Sequence, residues 1–203
     1  MKLLLNTKNL LTLIRNICYN FNRKGGGLML NIQIRDAVID DSEIILEIYS
    51  PYVKNTAISF EYEPPKIDEF KKRIENILNE YPYLVAVHNN EIIGFAYANR
   101  FHIREAFKYS AELSVYIKSD MRKLGIGRKL YDELEKILKQ KGIINLYACV
   151  AYSENEDEFI SHDSVIFHEL MGFKTVGKCN KCGYKFNKWY DMLYMEKFIG
   201  SHK

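Results

Sequence analysis

The sequence has little of several features that would point to a particular class of protein. Its 203 residues include four cysteines, four prolines and one tryptophan. No apolar run is long enough to span a bilayer, so we expect no transmembrane helix. The net charge is only +3, which is too small to argue for nucleic acid or a membrane surface as a partner. The remaining composition, 47% hydrophobic and 27% charged, is that of a globular domain with a sizeable core.

Basic residues are concentrated at the start of the chain. Residues 1–28 contain five lysines and arginines and no acid, which leaves 24 basic and 26 acidic residues in the rest of the chain. Lys8, Asn9 and Arg15 interrupt the apolar stretches, unlike the continuous core of a secretory signal. We expect residues 1–29 to be a flexible basic extension, in which Met29 could be the true first residue of the protein. The alternative is a segment that anchors the protein to a membrane surface. Residues 30–203 are then one domain.

The cysteines suggest neither a metal site nor a disulfide framework. Cys179 and Cys182 form a single CxxC, with no second CxxC or HxxxH after it. A structural zinc site needs four ligands, so we expect no metal and interpret these residues as incidental turn cysteines, with a redox role as the alternative. Because no secretion signal is clear, the thiols are expected to be reduced, which favours a cytoplasmic location.

Apolar periodicity predicts alternating strands and helices. Helices are predicted from Asp40-Asp41-Ser42, over residues 68–79, from Gly125 to Gly142 and from Asp163 to Leu170. Asn89-Asn90 is predicted to be a hairpin turn. Strands are predicted at 32–35, 56–62, 83–87, 92–99, 111–118, 143–151, 173–176 and 186–195. This order favours an α/β fold in which helices cover a mixed sheet.

The most informative segment is RKLGIG (122–127), which lies between a strand and a helix. Unpaired amides and the dipole at a helix N-terminus attract anions, and glycine lets a pyrophosphate approach the backbone. A Walker loop would need Gly-Lys-Ser/Thr, and a dinucleotide fingerprint would need a third glycine where Leu130 stands. The pattern Arg-x-x-Gly-x-Gly fits completely. The alternative is a glycine-started helix with solvated basic residues.

This loop resembles the acyl-CoA loop of the GNAT N-acetyltransferases. Over about residues 30–197 the chain is similar to their phosphinothricin/methionine sulfoximine N-acetyltransferase branch. The resemblance rests on six further motifs in order: FEYEPP (60–65), YPYLVA (81–86), GFAYA (94–98), AELSVYI (111–117), FHELMGF (167–173) and WYDM (189–192). It implies the GNAT fold, with a twisted, largely antiparallel mixed sheet of six to seven strands flanked by about four helices.

The resemblance also implies acetyl-CoA as the cofactor, with no metal. The strand before the loop would bond the pantetheine through the backbone of Val115, Tyr116 and Ile117. Asn155 and Ser164 match polar CoA contacts, although the span between them is longer and more acidic than in the family. The pyrophosphate would be held by Arg122, Lys123, Leu124, Gly125, Ile126, Gly127 and Arg128.

For catalysis, the resemblance implies that Glu112 is the general base. Amine attack needs a neutral nitrogen, and partial burial would raise the pKa of this carboxyl toward a useful range. The amide of Ile117 would stabilise the oxyanion. His168 occupies the region where many members place a tyrosine acid. The alternatives are a salt bridge at the sheet edge for Glu112 and a helix-packing role for His168.

On the acceptor side, Arg104 matches an arginine that can bind an amino-acid carboxylate, with Phe60 and His102 in the same pocket. The implied function is direct acetyl transfer to the primary amine of a small amino-acid-like substrate by a homodimer, with no nucleic-acid or membrane partner. The alternatives are a GNAT enzyme for a polyamine or a protein N-terminus, and a CoA-binding module without catalysis.

Overall fold

A computed structural model describes residues 31–202; the predicted extension 1–29 and Cys18 lie outside these residues. The described chain forms one seven-stranded sheet with the strand order β1-β2-β3-β4-β5-β7-β6. All neighbours are antiparallel except β4 and β5, which are parallel. The strands are β1 (Gln33–Asp36), β2 (Tyr83–His88), β3 (Glu91–Arg100), β4 (Ser110–Ile117), β5 (Asn145–Tyr152), β6 (Lys174–Lys185) and β7 (Lys188–Phe198).

Within residues 31–202, four α-helices cover the two faces of the sheet. They are α1 (Ser42–Asn55), α2 (Ile67–Leu78), α3 (Ile126–Gln140) and α4 (Asp163–Leu170). Leu130, Leu134 and Leu138 recur at four-residue spacing in α3 and are fully buried, because this spacing keeps them on one helix face. Gly142, with φ +82°, ends α3 in a left-handed conformation that glycine adopts without strain.

Two apolar layers hold the sheet between its helices. One layer joins α3 to the sheet through residues such as Leu134 and Leu146. The other layer joins α1 and α2 to the opposite face through Ile45, Phe70 and Phe95. Successive strand residues point to opposite faces, so β4 presents Leu113 to the first layer while Glu112 points to the other face. The predicted mixed sheet, flanked by four helices, is confirmed.

Two of the predicted strands differ from the structure. Residues 56–62 form no strand: the carbonyls of Thr56 and Ser59 accept hydrogen bonds from the Lys185 side chain, and the amide of Ala57 donates to the carbonyl of Phe159. These groups are therefore not available to a sheet. β6 is much longer than the predicted 173–176. Two register shifts interrupt its apolar alternation, so the sequence pattern predicts only its first part.

The parallel pair separates shortly after it forms. β4 and β5 pair only over Ser110–Glu112 with Asn145–Tyr147, although β4 continues to Ile117 and β5 to Tyr152. Beyond Glu112 the two strands diverge, and the sheet has a gap that no other strand fills within residues 31–202. Across those same residues, no helix has the length and apolar character needed to cross a membrane.

Candidate active site

The edge of β4 that faces the gap carries backbone groups suited to binding a chain-like ligand. The amide of Lys118 donates to the carbonyl of Ile93 on β3, at 2.9 Å. Because backbone groups alternate in direction along a strand, those of Val115 and Ile117 point the other way, into the gap. At Ile117 both groups contact the hydroxyl of Tyr52 on α1. The structure thus places the predicted Val115–Ile117 segment along the gap.

The N-terminus of α3 lies directly after this segment. The first intrahelical bond runs from the amide of Lys129 to the carbonyl of Gly125, so the preceding amides of Ile126, Gly127 and Arg128 have no partner within the helix. Gly125 has φ +80°, and a Cβ built on it would meet no atom within 4 Å. An open, amide-lined cradle of this kind fits a pyrophosphate. The predicted loop therefore has the geometry that its sequence suggested.

Gly127 has a different role from Gly125. A Cβ at Gly127 would lie 3.1 Å from the ring of Phe167 on α4 and 3.8 Å from the side chain of Val115 on β4. Glycine at this position therefore lets α4 pack closely against the start of α3. The second glycine of the motif is explained by packing between helices as well as by access to an anion.

The basic residues of the loop are partly paired with an acid. Arg122 and Lys123 each lie 3.4 Å from a carboxylate oxygen of Asp163, the first residue of α4. Arg128 donates to the carbonyl of Leu170 at 3.4 Å. Sequence reasoning recognised Asp163 as a helix start but missed this pairing, because 40 residues of chain separate the partners. Ser164 follows Asp163 and is half-buried near the loop, whereas Asn155 is exposed between β5 and α4.

Glu112 stands where the gap opens. It is the last β4 residue paired with β5, is half-buried, and shares a hydrogen bond with the thiol of Cys149, two residues beyond its strand partner Tyr147. Burial raises the pKa of Glu112, and the hydrogen bond from Cys149 lowers it in part. Burial and the neighbouring carboxylate raise the pKa of Cys149 to about 12. The thiol is therefore a proton donor to Glu112 at neutral pH, a contact that the sequence analysis missed.

His168 lies in the core instead of the gap. Its Nδ1 is 2.7 Å from the carbonyl of Ser164 and its Nε2 is 3.0 Å from the hydroxyl of Tyr131. The rings of Phe167 and Phe173 pack against the imidazole, and only 5% of the residue is exposed. Burial lowers the pKa of His168 to about 4, so the ring is neutral at physiological pH. These contacts fit the helix-packing alternative and do not fit an acid that serves a leaving thiolate.

The three predicted acceptor residues lie in two places. Arg104 and His102 are exposed on the segment between β3 and β4, where the Arg104 amide lies 3.3 Å from His102 Nδ1 and donates to it. Phe60 lies between α1 and α2 and packs against the β6–β7 hairpin, where a Cβ at Gly183 would be only 2.5 Å from its ring. The structure thus ties Phe60 to the last hairpin, a contact that the sequence does not reveal.

A cavity of about 380 Å³ lies between α1, α2 and the sheet. The cavity lies on the face of the sheet to which Glu112 points. Asn99, one of its lining residues, is the strand partner of Glu112. Arg73 in its wall pairs with Glu61 at 2.6 Å, and Glu61 also accepts from Tyr49 at 2.9 Å. Over residues 31–202, no group of three or more His, Cys, Asp or Glu is placed to hold a metal ion.

Comparison with known proteins agrees with this geometry. The family model of the acetyltransferase (GNAT) domain matches residues 34–194. A phosphinothricin N-acetyltransferase of Alcaligenes faecalis is 33% identical, covering 78% of each chain. An L-methionine sulfoximine/L-methionine sulfone acetyltransferase of Pseudomonas aeruginosa is 29% identical, covering 82% of this chain and 94% of that one.

A solved structure shows the same fold with a ligand. It is a GNAT superfamily phosphinothricin acetyltransferase from Sinorhizobium meliloti in complex with acetyl-CoA, 31% identical, with a TM-score of 0.77 over 84% of this chain and 90% of that chain. The gap in the sheet and the amide-lined start of α3 supply the two features that an acyl-CoA needs, and the family model spans most of the chain. The chain therefore belongs to the GNAT acetyltransferase family.

Proposed function

We propose that this protein transfers the acetyl group of acetyl-CoA to the primary amine of a small amino-acid-like substrate, of the phosphinothricin or methionine sulfoximine type. The observation that carries the proposal is the position of Glu112. It lies where β4 and β5 separate, on the same strand as the segment that leads into the α3 loop. A carboxylate of raised pKa therefore stands beside the gap proposed for the cofactor.

Cofactor binding is assigned to three parts of the chain. Val115 and Ile117 would bond the pantetheine through backbone groups that face the gap, and Tyr116 lies between them with its own backbone groups turned to Phe95 of β3. Ser164, at the start of α4, and Asn155, in the loop before it, are proposed to make polar contacts with the same ligand. The pyrophosphate would be held by the loop residues Arg122, Lys123, Leu124, Gly125, Ile126, Gly127 and Arg128. The open cradle at Gly125 supports this assignment.

Glu112 is proposed as the general base. The neutral amine nitrogen attacks the thioester carbonyl of acetyl-CoA, the carbon–sulfur bond breaks, and the CoA thiolate leaves and takes up the second proton that the nitrogen loses. The Glu112 carboxylate takes the proton from the protonated amine, directly or through one water. Burial supports this role, because it raises the pKa of the carboxyl and makes it a stronger base than an exposed glutamate. The Ile117 amide, expected from the resemblance as the oxyanion donor, lies five residues from Glu112 on the same strand, roughly 16 Å away, so it is too distant to serve the same carbonyl.

Acceptor recognition is assigned to Arg104, His102 and Phe60. The guanidinium of Arg104 is exposed beside His102 and is free to form a bidentate pair with a carboxylate of the substrate. Phe60, which packs against the β6–β7 hairpin, is proposed to supply an apolar contact to the substrate. A small zwitterion with a short side chain matches this combination of one cation and one aromatic ring.

The structure gives less support to a polyamine acceptor. The acidic run 154–158 would have to form an anionic groove, but three of its four acids are engaged elsewhere. Glu154 lies 3.7 Å from Lys178, and Asp157 lies 2.9 Å from Lys188. Glu156 accepts from the amide of His162 at 2.6 Å. These contacts tie the run to β6, to β7 and to its own loop, which favours the amino-acid-like acceptor.

We further propose a homodimer in a reducing compartment, the cytoplasm. Tyr62 and Trp189 are 65% and 59% exposed and lie on either side of Tyr184, whose carbonyl accepts from the Tyr62 hydroxyl at 2.6 Å. An exposed aromatic patch of this kind is typical of protein interfaces. Cys149, Cys179 and Cys182 are free thiols, which fits a reducing environment. Residues 1–29 are proposed to be separable from the catalytic domain.

A screen of CoA thiol release tests the proposed function. Purified protein is given acetyl-CoA with phosphinothricin, methionine sulfoximine, methionine sulfone, a polyamine or a peptide. We expect thiol release with the first three, and acetylated product by mass spectrometry. Release with the polyamine or the peptide alone would contradict the proposed acceptor class, and release with none of them would contradict the proposed activity.

A further inference from the structure

Lys185 is a buried lysine that the proposed chemistry leaves unexplained. It is the last residue of β6 and only 2% exposed. Its Nζ donates to three backbone carbonyls, those of Val53 at 2.7 Å, Thr56 at 2.8 Å and Ser59 at 2.6 Å. An ammonium has three N–H groups, so every donor of this side chain is used.

The partners explain how the charge is tolerated. Burying an ammonium group is costly unless polar groups replace its hydration shell. Val53 lies in the last turn of α1 and Thr56 is the residue that caps it, so Lys185 stands at the negative end of the helix dipole. The ring of Phe186, whose centroid is 5.1 Å from Nζ, covers the ammonium. This lysine is therefore built into the end of α1 and the segment that follows it.

Two further contacts join the same parts of the chain. We call residues 56–62 the acceptor loop, because they contain Phe60. A Cβ at Gly183 would lie 2.5 Å from the Phe60 ring, so the absence of a side chain there lets the far end of the ring lie against the hairpin. Tyr62 donates to the carbonyl of Tyr184 at 2.6 Å. Three successive hairpin residues, 183–185, thus hold the acceptor loop.

The other side of the acceptor loop faces the site. The hydroxyls of Ser59 and Tyr49 lie 2.8 Å apart, and Glu61 pairs with Arg73. Tyr49 and Arg73 line the cavity on the face of Glu112. The position of the loop therefore sets both the wall of the cavity and the place of the Phe60 ring.

We infer that Lys185 is a positioning residue for the acceptor amine: its three carbonyl bonds fix the acceptor loop on the last hairpin and so set where Phe60 meets the substrate. This inference rests on the proposed function, because it assigns Phe60 to the acceptor. It predicts that hairpin residues 183–185 control the affinity for the amine and the choice among amines. They should have little effect on the affinity for acetyl-CoA.

The test compares Lys185→Met and Gly183→Ala with Lys174→Met, a matched control at the exposed start of the same strand. Lys185→Met leaves three carbonyls without their donor, and Gly183→Ala pushes the Phe60 ring away. We expect the KM for the amine to rise about tenfold or more in both, because a misplaced positioning group weakens alignment. The dissociation constant of acetyl-CoA, measured by calorimetry, stays at the wild-type value, and Lys174→Met matches wild type. Lys185→Arg, which keeps the charge and donors, recovers part of the lost affinity.

An unchanged amine KM in both folded variants would overturn the inference, as would a parallel loss of acetyl-CoA binding, which indicates general damage. If Lys185→Met does not fold, Gly183→Ala decides alone by the same criteria. Failure of the proposed function is distinct, because wild type itself would then release no CoA with any amine. In that case hydrogen exchange decides. Lys185→Met must accelerate exchange of the acceptor-loop amides, and unchanged exchange would overturn the inference that Lys185 fixes this loop.

Discussion

The hydroxyl of Tyr52 bonds both backbone groups of Ile117: it donates to the carbonyl at 2.5 Å and accepts from the amide at 3.3 Å. One side chain of α1 thus uses both backbone groups of the last β4 residue on the side that faces the gap. The pantetheine proposed to bind there must share these groups with the hydroxyl or displace it. Val115, two residues earlier, is closer to the narrow end of the gap, where the strands separate.

Replacing Tyr52 by phenylalanine tests this competition. The variant loses the two hydrogen bonds, so we expect the free protein to lose about 1 kcal/mol of unfolding free energy. The backbone groups of Ile117 become available, so acetyl-CoA should raise the melting temperature by more than it does in wild type. Thermal unfolding with and without acetyl-CoA measures both effects. Tyr49→Phe on the same helix is the control, and an equal ligand-induced shift in Tyr52→Phe and wild type would refute competition at Ile117.

Glu112→Gln tests the proposed base. The amide keeps the shape of the side chain and cannot accept the proton, so we expect kcat/KM to fall by roughly 10²- to 10⁴-fold. Calorimetry should show unchanged acetyl-CoA binding, because the backbone of the gap remains intact. Glu91→Gln, at the exposed start of β3, is the control. Wild-type turnover in Glu112→Gln would remove this residue from the mechanism.

Cys149→Ala tests how the base is tuned. Glu112 must be ionised to take a proton, so activity falls as the pH drops below the pKa of this carboxyl. The thiol hydrogen bond lowers that pKa, and its loss must raise it. We therefore expect the acid limb of the kcat/KM profile to move to higher pH in Cys149→Ala. Cys149→Ser keeps a donor and should leave the limb in place; an acid limb that stays fixed or moves to lower pH in Cys149→Ala counts against the contact.

Gly125→Val and Gly142→Val separate backbone strain from ligand binding. The two glycines flank α3, both have φ near +80°, and a Cβ at either one meets no atom within 4 Å. Each valine should therefore cost a similar strain, of order 1–3 kcal/mol of unfolding free energy. Only the side chain at Gly125 would enter the proposed pyrophosphate cradle. We expect calorimetry to show acetyl-CoA binding abolished in Gly125→Val and kept in Gly142→Val, and the opposite pattern would exclude the loop as the cofactor site.

Removal of residues 1–28 tests the domain boundary. The family match begins at residue 34, and the proposed site residues all follow residue 59. A chain that starts at Met29 is expected to keep wild-type kcat and KM in the CoA release assay. The full-length chain is the control, and loss of activity in a folded truncated chain would show that the basic extension takes part in function.

The sequence predicted most of the sheet, because local patterns determine its parts. Asn89 and Asn90 have positive φ, as their hairpin turn requires, and the four-residue spacing of Leu130 and Leu134 gave the buried face of α3. Segment 56–62 was predicted wrongly as a strand. Its alternation is real, but its carbonyls are claimed by Lys185, which lies more than 120 residues away in the chain.

The site was predictable only where its chemistry is local. RKLGIG carries its own glycines and helix start, so the cradle at Gly125 could be expected from the sequence. The contacts of Glu112 with Cys149, and of Arg122 with Asp163, depend on strand divergence and helix packing, which no local pattern encodes. His168 shows the same limit, since only the packed structure reveals that Ser164 and Tyr131 engage both of its ring nitrogens.

The pairing of Asp163 with Arg122 and Lys123 would make the proposed binding of the cofactor by these residues an exchange of partners. Phosphate oxygens that reach these two side chains replace an internal carboxylate as well as water. Added salt screens the attraction of the incoming polyanion, but it equally loosens the pairs that must open. We therefore infer a flatter dependence of acetyl-CoA affinity on ionic strength than a loop with three unpaired cations would show. Asp163→Asn would make that dependence steeper, so one acidic residue at a helix start buffers the enzyme against changes in salt.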